Sequence, residues 1–436
     1  MERVSRKEEM AALKEEARRL GFSTSEERDD VLRLIAEGLE RDWPQIQAAN
    51  EADVQSAERD GLAPALVKRL IYSEAKQAEA LSGIRDIIAA PDPVGTVRMR
   101  RELDDGLVLS QVAVPIGVIG MIFEARPDAL VQIISLCAKS GNAIILKGGS
   151  EARLTNAALV ASMRASLEKS PLGSNWIVLL ESRSDVGEML TMEGTIDLLI
   201  PRGSKEFVSY IMRNTTIPVL GHSDGICHLY IDESADLEMA LTVAYDAKTQ
   251  YPAACNAVET ILVHSAIAPR FIPVLATRFG SLVTIHGDER TAALVECIPY
   301  QDGDWDTEYL DFEVNIRVVD SLGEAIAHIA RHGSGHTDAI VASSESSIQT
   351  FFAQVDSADV FANCSTRFAD GYRFGLGAEV GISTQKIHAR GPVGMEGLMS
   401  TKYLLCGSGQ IVADYSGSNA RAFTHRQLPV EGAHRA

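Results

Sequence analysis

The sequence predicts an α/β protein with two domains, each built around a parallel sheet that helices cover. The main observation is a series of short, continuously apolar runs of strand length at 118–123, 143–146, 176–180, 196–200 and 228–231. Helical patterns separate several of these runs, near 128–140, 151–169 and 203–213. Continuous apolar strands that alternate with helices indicate a parallel sheet buried on both faces.

A second series of apolar runs follows residue 255. Its members lie at 260–263, 282–285, 316–319 and 339–341. A chain of 436 residues is long enough for two or three domains with cores of their own. We therefore expect a second α/β domain after the first.

The part of the chain before these runs is expected to be helical and then to form a hairpin. Apolar residues recur at helical spacing within 7–90, and a proline and glycine cluster at 91–95 ends this region. Two extended segments within 97–112 meet at Asp105-Gly106. An Asp-Gly dipeptide between extended segments is typical of a tight β-hairpin turn.

The charge balance limits the classes of partner. The chain has 41 Lys and Arg residues against 60 Asp and Glu residues, a net charge of −19. Such an acidic protein repels nucleic acid and anionic membranes. Its N-terminal residues are too charged for a signal peptide, and no apolar run reaches membrane-spanning length. We expect a cytoplasmic protein that acts on a small molecule, without a nucleic-acid or membrane partner.

The cysteine pattern argues against a disulfide framework and against a zinc ribbon. The cysteines form no CxxC pair and are irregularly spaced, at Cys137, Cys227, Cys255, Cys297, Cys364 and Cys406. His222 and His228 have no His or Cys partner at ligand spacing, so no metal site is expected. A reducing compartment, in which a thiol remains a nucleophile, is the simplest setting.

Cys255 is the strongest candidate for a catalytic residue. It lies in Tyr251-Pro-Ala-Ala-Cys-Asn-Ala-Val-Glu-Thr260, and the small residues before it leave room for a ligand to reach the sulfur. A thiolate here can attack an activated acyl carbon, with its own backbone N–H and the Asn256 side chain as oxyanion donors. A lone cysteine is more often a small buried apolar residue, and the residues alone leave both interpretations open.

Two turns are candidates for binding a nucleotide, although the chain has no well-placed GxGxxG and no Walker A sequence. One strand ends at Lys147 and a glycine turn that leads to Ser150 and Arg153. Another apolar run leads to Gly203 and Ser204, whose N–H groups can face a phosphate at a helix start. An ordinary strand–helix turn and a capped helix explain the same residues.

Four basic residues are candidates for holding an anionic substrate. Arg126 follows a strand at the usual functional end of an α/β sheet and can bind a phosphate or carboxylate in bidentate fashion. Arg367, His388 and Arg390 lie in segments rich in polar and small residues. For each of the four, a surface salt bridge is the alternative.

The motifs resemble one family over nearly the whole chain. The segment around Cys255, together with Phe374-Gly-Leu-Gly-Ala-Glu-Val-Gly-Ile-Ser-Thr384 and His388-Ala-Arg-Gly-Pro-Val-Gly394, resembles the γ-glutamyl phosphate reductases of the aldehyde dehydrogenase superfamily. The resemblance implies an aldehyde-dehydrogenase-like fold: two Rossmann-like α/β domains plus a β-hairpin oligomerisation arm. A cofactor-binding domain is then expected at 1–225, with 386–400 returning to it. The catalytic domain is expected at 226–385. The arm is expected from 96–113 and 401–415, with its last strands at 402–412.

The resemblance also implies a cofactor, NADPH. Lys147 stands where the superfamily contacts the adenosine ribose, and Ser150 stands where NAD-preferring members carry a glutamate that would repel a 2′-phosphate. Arg153 can add a contact to that phosphate. The Gly203-Ser204 pair lies near the pyrophosphate in the superfamily. Glu308 matches the glutamate that holds the nicotinamide ribose, and a solvated surface glutamate is its alternative.

The implied activity is the NADPH-dependent reduction of L-glutamate 5-phosphate to L-glutamate 5-semialdehyde and phosphate through a Cys255 thioester, in proline biosynthesis. Val219 stands where oxidising aldehyde dehydrogenases place the base that hydrolyses their thioester, as suits a reductase. We expect a homodimer or higher homo-oligomer, no fused kinase domain and a separate glutamate 5-kinase as partner.

Three alternatives remain open. The first is another acyl-phosphate reductase or aldehyde dehydrogenase of the superfamily. The second is a cysteine hydrolase that pairs Cys255 with His264 or His222. The third is a binding module that keeps the fold without catalysis.

Overall fold

The computed structural model describes residues 6–124, 126–181, 185–222, 224–376 and 379–430. The chain forms two compact units. Unit 1 comprises Met1–Gly203, Tyr210–Val219 and Gly394–Ala436, and unit 2 comprises Ser204–Ser209 and Leu220–Val393. Within the described ranges, no helix combines the length and the apolar character needed to cross a membrane.

Unit 1 begins with helices, as the apolar spacing predicted. They are α1 (Arg6–Phe22), α2 (Ser25–Arg41), α3 (Trp43–Arg59), α4 (Pro64–Leu70) and α5 (Glu74–Ala89). Helix α2 shows the local cause, because Thr24 accepts from the Glu27 N–H while the Glu27 side chain accepts from the Thr24 N–H. This capping box satisfies two backbone donors at the helix start.

The predicted hairpin is confirmed. Strands β1 (Val97–Asp104) and β2 (Leu107–Pro115) pair antiparallel, with Asp104 opposite Leu107. Gly106 takes φ +70° in the turn, a left-handed conformation that glycine adopts without steric cost.

The first parallel sheet lies in unit 1. Its strands are β3 (Val118–Phe123), β4 (Ala143–Gly148), β5 (Ile177–Leu180) and β6 (Leu198–Arg202). They run parallel in the order β5-β4-β3-β6. Helices α6 (Pro127–Ser140), α7 (Arg153–Ser166) and α8 (Asp185–Met189) alternate with these strands along the chain, and α9 (Lys205–Arg213) follows β6, with its residues divided between the two units. The helix predicted near 151–169 is α7 flanked by two short 3₁₀ turns, Ser150–Ala152 and Leu167–Lys169.

Unit 2 contains a larger parallel sheet. Its strands are β7 (Cys227–Ile231), β8 (Val258–His264), β9 (Thr284–Gly287), β10 (Ile298–Pro299), β11 (Glu313–Val319), β12 (Thr337–Val341) and β13 (Asp359–Ala362). Their order is β10-β9-β11-β8-β7-β12-β13. Helices α10 (Leu237–Thr249), α11 (Ala268–Phe279), α12 (Glu289–Ala292), α13 (Leu322–His332) and α14 (Glu345–Gln354) accompany it, and β14 (Gly381–Ser383) pairs with β15 (Gly391–Val393).

Alternating residues of the central strands belong to different cores. Leu229 and Ile261 join one buried cluster, whereas Tyr230 and Leu262 join another. Side chains alternate between the two faces of a strand, so each face of the sheet has a core of its own. The predicted class, an α/β fold with parallel sheets buried on both faces, is confirmed.

The last strands complete the antiparallel sheet of unit 1. Strand β16 (Met399–Cys406) pairs with β2, and β17 (Arg426–Gln427) pairs with β1. The expectation of strand structure up to residue 412 is wrong, because β16 ends at Cys406 and Val412 begins a 3₁₀ turn. Gly407 follows directly, and Gly409 takes φ +107°, a turn conformation.

Candidate active site

Cys255 lies in a tight turn between α10 and β8. The Ala257 N–H donates to the Ala254 carbonyl over 2.9 Å, and the Ala254 N–H donates to the Tyr251 carbonyl over 3.3 Å. The Cys255 side chain is half-buried, whereas β8 behind it is almost fully buried. The thiol is therefore held on a rigid support while part of its surface stays accessible.

The surroundings of Cys255 come from one edge of the unit 2 sheet. Gly225 precedes β7, Cys255 precedes β8, Glu308 precedes β11 and His336 precedes β12. Because these strands are parallel, their amino ends meet at the same edge. The candidate site of unit 2 therefore lies at the amino ends of its strands.

Gly225 packs directly on the backbone of the thiol turn. A Cβ atom on Gly225 would lie 2.1 Å from the Cys255 carbonyl oxygen and 2.6 Å from its Cα atom. No real Cβ contact is that short, so only glycine fits at this position. The Gly225 N–H also lies close enough to the Glu308 carboxylate to favour its charged form.

Glu308 is a partly buried carboxylate with an altered affinity for protons. Burial raises the pKa of Glu308 to about 7, and the nearby Asp224 carboxylate acts in the same direction. The Gly225 N–H and the ammonium groups of Lys205 and Lys248 oppose this rise in pKa. A solvated surface glutamate, the alternative considered from sequence, does not describe this environment.

A buried ion pair supports the segment that carries Glu308. Lys248 Nζ donates to Glu259 Oε2 over 2.7 Å, and both side chains are fully buried. The other carboxylate oxygen of Glu259 accepts from the Leu310 N–H over 3.4 Å. Burial raises the pKa of Glu259 to about 7, and Lys248 opposes this rise.

Two histidines lie beside the Cys255 thiol. One ligand atom each from His222, Cys255 and His336 lies within 4.8 Å of the others. His222 Nδ1 is 2.9 Å from the Ile382 carbonyl oxygen, which can only accept, so Nδ1 carries the hydrogen. The His336 side chain is fully buried, and its pKa lies well below the usual value because of burial and the neighbouring His222.

Asn256 is held firmly by the protein. Its side chain is 3% exposed, and Nδ2 donates to the Ala369 carbonyl over 2.7 Å. An amide nitrogen has two hydrogens, so one donor remains after this bond. The oxyanion role of Asn256 stays a prediction.

Arg367 is the candidate anion-binding residue that the fold places near the thiol. It is 8% exposed, its Nε donates to Gln250 Oε1 over 2.9 Å, and its guanidinium lies 5.9 Å from the Tyr251 ring centre. Burial and the neighbouring Arg373 lower the pKa of Arg367, whereas a negative charge on Cys255 raises it. Among the described residues, no carboxylate lies within ion-pair distance of Arg367.

The other predicted substrate residues have different surroundings. Arg390 Nη1 lies 2.9 Å from Asp356 Oδ1, and its Nη2 donates to the Asp356 carbonyl over 2.7 Å. This is the salt bridge considered as the alternative for Arg390. His388 is exposed in unit 2, and Arg126 is exposed in unit 1 just before α6. Their roles stay predictions.

In unit 1, three of the predicted cofactor residues lie between the end of β4 and the start of α7: Lys147, Ser150 and Arg153. Lys147 is 6% exposed and donates to the Gly148 carbonyl, while Ser150 and Arg153 are exposed. Asp53 accepts from the Leu154 N–H over 3.2 Å and from the Thr155 N–H over 2.7 Å, so these α7 donors already have a protein partner. An anion at this turn must therefore bind the residues before Leu154.

The second predicted cofactor turn also has a structural role. Gly203 ends the first segment of unit 1, and Ser204 begins the first segment of unit 2. Ser204 Oγ accepts from the Phe207 N–H over 3.4 Å at the start of α9. The capped helix considered as the alternative is present, and phosphate binding by Gly203 and Ser204 stays a prediction.

Sequence reasoning missed His336, Gly225 and Gln250, and it considered His222 only as the partner of Cys255 in a hydrolase. His222, Gly225 and His336 have no local signal, since each lies far from Cys255 in the chain and meets it only through strand order, whereas Gln250 lies five residues before Cys255 and was not singled out. A cluster of chemically active groups at one sheet edge becomes visible only when the order of the strands is known.

Comparisons with known proteins agree with this geometry. Residues 7–295 match the model of the aldehyde dehydrogenase family. The γ-glutamyl phosphate reductase of Pelotomaculum thermopropionicum is 53% identical over 410 residues, which cover 94% of this chain and 94% of that protein. γ-Glutamyl phosphate reductase 1 of Synechocystis sp. is 51% identical over 410 residues, 94% of this chain and 95% of that protein.

A solved structure extends the likeness to three dimensions. The crystal structure of γ-glutamyl phosphate reductase from Thermotoga maritima matches with a TM-score of 0.91 at 39% sequence identity. The match covers 93% of this chain and 99% of that chain. The aldehyde-dehydrogenase-like fold expected from the sequence is thereby confirmed.

Proposed function

We propose, because this chain belongs to the γ-glutamyl phosphate reductases of the aldehyde dehydrogenase family, that it reduces L-glutamate 5-phosphate to L-glutamate 5-semialdehyde and phosphate with NADPH. The protein is an oxidoreductase, and the reaction belongs to proline biosynthesis. One observation carries the mechanism: a half-buried Cys255 on a rigid turn, with the buried Arg367 guanidinium over the Tyr251 ring of the same turn.

The first chemical step forms a thioester on Cys255. The sulfur attacks the γ-carbonyl carbon, the new C–S bond forms, and the bond to the phosphate oxygen breaks, so phosphate leaves with its electron pair. His222 Nε2 is the base that takes the thiol proton, since Nδ1 holds its hydrogen on the Ile382 carbonyl. His336 is a poor base because burial holds its pKa far below neutrality.

The negative charge that develops on the substrate needs donors. The Cys255 backbone N–H and the second hydrogen of Asn256 Nδ2 are our candidates for the oxyanion. Arg367 is our candidate for a substrate carboxylate or phosphate, because a guanidinium binds either in bidentate fashion. Gln250 fixes the Nε side of this guanidinium and leaves the two Nη groups for the substrate.

The residues of each unit fit a nicotinamide nucleotide by their chemistry. In unit 2, the Glu308 carboxylate offers two acceptors for ribose hydroxyls, and the Gly225 N–H orients it. In unit 1, Lys147 suits the adenosine ribose, and Ser150 with Arg153 suits a 2′-phosphate, because no carboxylate stands at position 150. When bound, NADPH supplies the hydride that turns the thioester into a thiohemiacetal.

The reverse reaction tests the proposal. Purified protein is given pyrroline-5-carboxylate, phosphate and NADP⁺, and the formation of NADPH is followed by absorbance. We expect activity in the wild type, none in Cys255→Ala and full activity in Cys406→Ser, which changes an exposed cysteine in unit 1. Mass spectrometry of protein mixed with glutamyl phosphate but no NADPH is expected to show an acyl group on Cys255.

Three outcomes would contradict the proposal. Strong reduction of another acyl phosphate with none of glutamyl phosphate would favour a different reductase of the superfamily. Product formation without NADPH would favour a hydrolase. Retained reductase activity in Cys255→Ala would remove the thioester from the mechanism.

We also propose that the protein is a homo-oligomer. Strand β16 is an edge of the antiparallel sheet, and its Tyr403 and Leu405 are 61% and 56% exposed. An exposed apolar edge strand favours pairing with another chain. Light scattering after gel filtration is expected to show a dimer or larger species, which Leu405→Lys weakens; a monomer at all concentrations would contradict this proposal.

A separate glutamate 5-kinase is our proposed supplier of the substrate. The test mixes that kinase, glutamate, ATP, NADPH and this protein. Oxidation of NADPH that requires both proteins is expected, and its absence with an active kinase would contradict the partnership.

A further inference from the structure

We propose that His222, Cys255 and His336 form a binding site for a thiophilic divalent metal ion such as Zn²⁺ or Co²⁺, which reversibly blocks the thiol. The three groups supply one sulfur and two imidazole nitrogens, all within 4.8 Å of one another. The blocking effect rests on the proposed function of Cys255, but binding of the metal does not. The group is the only one of its kind in the described part of the chain.

The spacing of the three atoms suits a tetrahedral ion. With bonds of about 2.0–2.1 Å to nitrogen and about 2.3 Å to sulfur, tetrahedral ligands lie about 3.3–3.7 Å apart. The separations in the structure are at most 4.8 Å, so the ligands need to move inward by only about 1 Å. Changes of side-chain torsion angles provide this movement without a change of fold.

The environment of the two imidazoles is the second observation. His222 Nδ1 donates to the Ile382 carbonyl over 2.9 Å, and His336 Nδ1 lies 2.8 Å from Thr337 Oγ1. Histidines that bind metals usually donate their other ring N–H to a fixed protein acceptor in this way. These bonds engage Nδ1 of each ring, and we assign Nε2 of each ring to the ion.

His336 gives a third observation. Its side chain is 0% exposed, and within the described residues Nε2 has no hydrogen-bond partner. Leaving a buried polar atom without a partner is unfavourable, and among the buried atoms of this kind in the described residues it is the one that belongs to the three-residue group. A metal ion between the two rings and the thiolate would satisfy this atom.

The donor set selects the class of metal. Thiolate and imidazole ligands favour Zn²⁺, Co²⁺ and Cu⁺, whereas Mg²⁺ and Ca²⁺ require oxygen ligands, and this group contains none. Three protein ligands leave a fourth position for water or substrate. Because a coordinated thiolate donates electron density to the metal, it is a weaker nucleophile, and its attack on an acyl carbon is expected to slow strongly until the metal leaves.

The test uses Co²⁺, because its absorption reports the ligands directly. Full-length protein is titrated with Co²⁺ under anaerobic conditions after treatment with a chelator. We expect one equivalent per chain, with a near-ultraviolet thiolate-to-cobalt band and the visible bands of a tetrahedral site. Zn²⁺ is expected to displace Co²⁺ and to inhibit NADPH formation in the reverse reaction, and a chelator is expected to restore it.

Variants identify the ligands. Cys255→Ser is expected to lose the charge-transfer band, and His222→Gln and His336→Gln are each expected to weaken Co²⁺ binding about tenfold or more. The controls are Cys406→Ser, which changes an exposed thiol, and His264→Gln, which changes a histidine outside the group. Both are expected to bind Co²⁺ like the wild type. Circular dichroism of each variant without metal checks the fold, and His222, which is only half-buried, provides a ligand variant that tolerates substitution.

The results separate this proposal from the proposed function. Failure to bind Co²⁺ in a protein that reduces glutamyl phosphate would overturn the metal site alone. A charge-transfer band that persists in Cys255→Ser, or affinity unchanged in both histidine variants, would also overturn it. A normal thiolate-to-cobalt band in a protein that does not reduce glutamyl phosphate would support the metal site and contradict the proposed reductase function.

Discussion

Gly225 and Cys255 are in such close contact that a Cβ atom on Gly225 would lie 2.1 Å from the Cys255 carbonyl oxygen. The N–H of the same glycine favours the charged form of the Glu308 carboxylate. One backbone position therefore limits where the thiol turn can lie and also influences the carboxylate assigned to the nicotinamide ribose.

Gly225→Ala is expected to displace the thiol turn. The alanine Cβ is fixed rigidly to its own backbone, and the atoms that it would meet are backbone atoms of Cys255. Because neither segment can move easily, we expect a loss of about 1–3 kcal/mol in the free energy of unfolding. The rate constant kcat is expected to fall as well. Urea denaturation and reductase kinetics measure both effects.

Gly83→Ala is the matched control for that substitution. Gly83 lies within α5, and nothing lies within 4 Å of the Cβ atom that alanine would add. Alanine favours a helix over glycine by about 0.5–1 kcal/mol, so this variant is expected to be more stable and fully active. Unchanged activity in Gly225→Ala would show that the packing of Gly225 does not position the Cys255 thiol.

Arg367→Lys is expected to weaken the binding of the acyl phosphate. Lysine keeps the charge but loses the planar fork that binds an oxyanion through two hydrogen bonds. We expect kcat/KM for glutamyl phosphate to fall about a hundredfold, about 2.7 kcal/mol, with KM for NADPH little changed. Arg278→Lys is the control, since Arg278 forms an exposed ion pair with Glu238, and exposed pairs contribute little. A larger loss in Arg390→Lys than in Arg367→Lys would assign the role to Arg390 instead.

Glu308 gives a pH dependence with a definite sign. Its pKa rises from 4.5 to about 7 on folding, so between these values the folded protein binds a proton that the unfolded chain has released. The contribution of Glu308 to the free energy of unfolding is therefore complete below about pH 4.5 and is lost as pH rises to about 7. Glu308→Gln is expected to reduce the fall in the free energy of unfolding with rising pH, and to raise KM for NADPH.

Urea denaturation near pH 4.5 and near pH 7 measures the contribution of Glu308. Glu296→Gln, at an exposed glutamate, is the control and is expected to follow the wild type. An identical pH profile in Glu308→Gln and the wild type would show that Glu308 is not the group responsible.

The buried pair of Lys248 and Glu259 predicts a strong effect on stability. Lys248→Met leaves the Glu259 carboxylate buried without its cation, which costs about 3–5 kcal/mol. In the double variant with Glu259→Gln, no charge is left unpaired, and we expect most of the loss to be recovered. Denaturation of the two single variants and of the double variant measures the coupling energy between Lys248 and Glu259. Losses of stability that simply add in the double variant would contradict this coupling.

Ser150→Glu tests the preference for NADPH. A carboxylate at this position repels a 2′-phosphate, so kcat/KM with NADPH is expected to fall about tenfold, about 1.4 kcal/mol, with little change for NADH. Ser150→Gln has the same size without the charge and is the control. Equal losses with both coenzymes would indicate a general disturbance of the turn before α7.

Local patterns predicted the fold well. Each apolar run overlaps a strand of a parallel sheet, and the Asp-Gly dipeptide forms the predicted hairpin turn. The strands β10, β13, β14, β15 and β17 were missed, because segments of two to four residues are too short for a recognisable pattern. The end of β16 was placed too late, since a glycine-containing turn replaces the strand after Cys406.

The sequence by itself determined the α/β class, the helical start, the hairpin and the identity of the candidate nucleophile, because apolar periodicity and turn chemistry act over a few neighbouring residues. Only the tertiary structure decided that Gly225, His222 and His336 meet Cys255, and that Arg390 pairs with Asp356 while Arg367 stays beside the thiol turn. The physical reason is strand order: parallel strands from distant parts of the chain bring their amino ends to one edge, and no local pattern records which strands become neighbours.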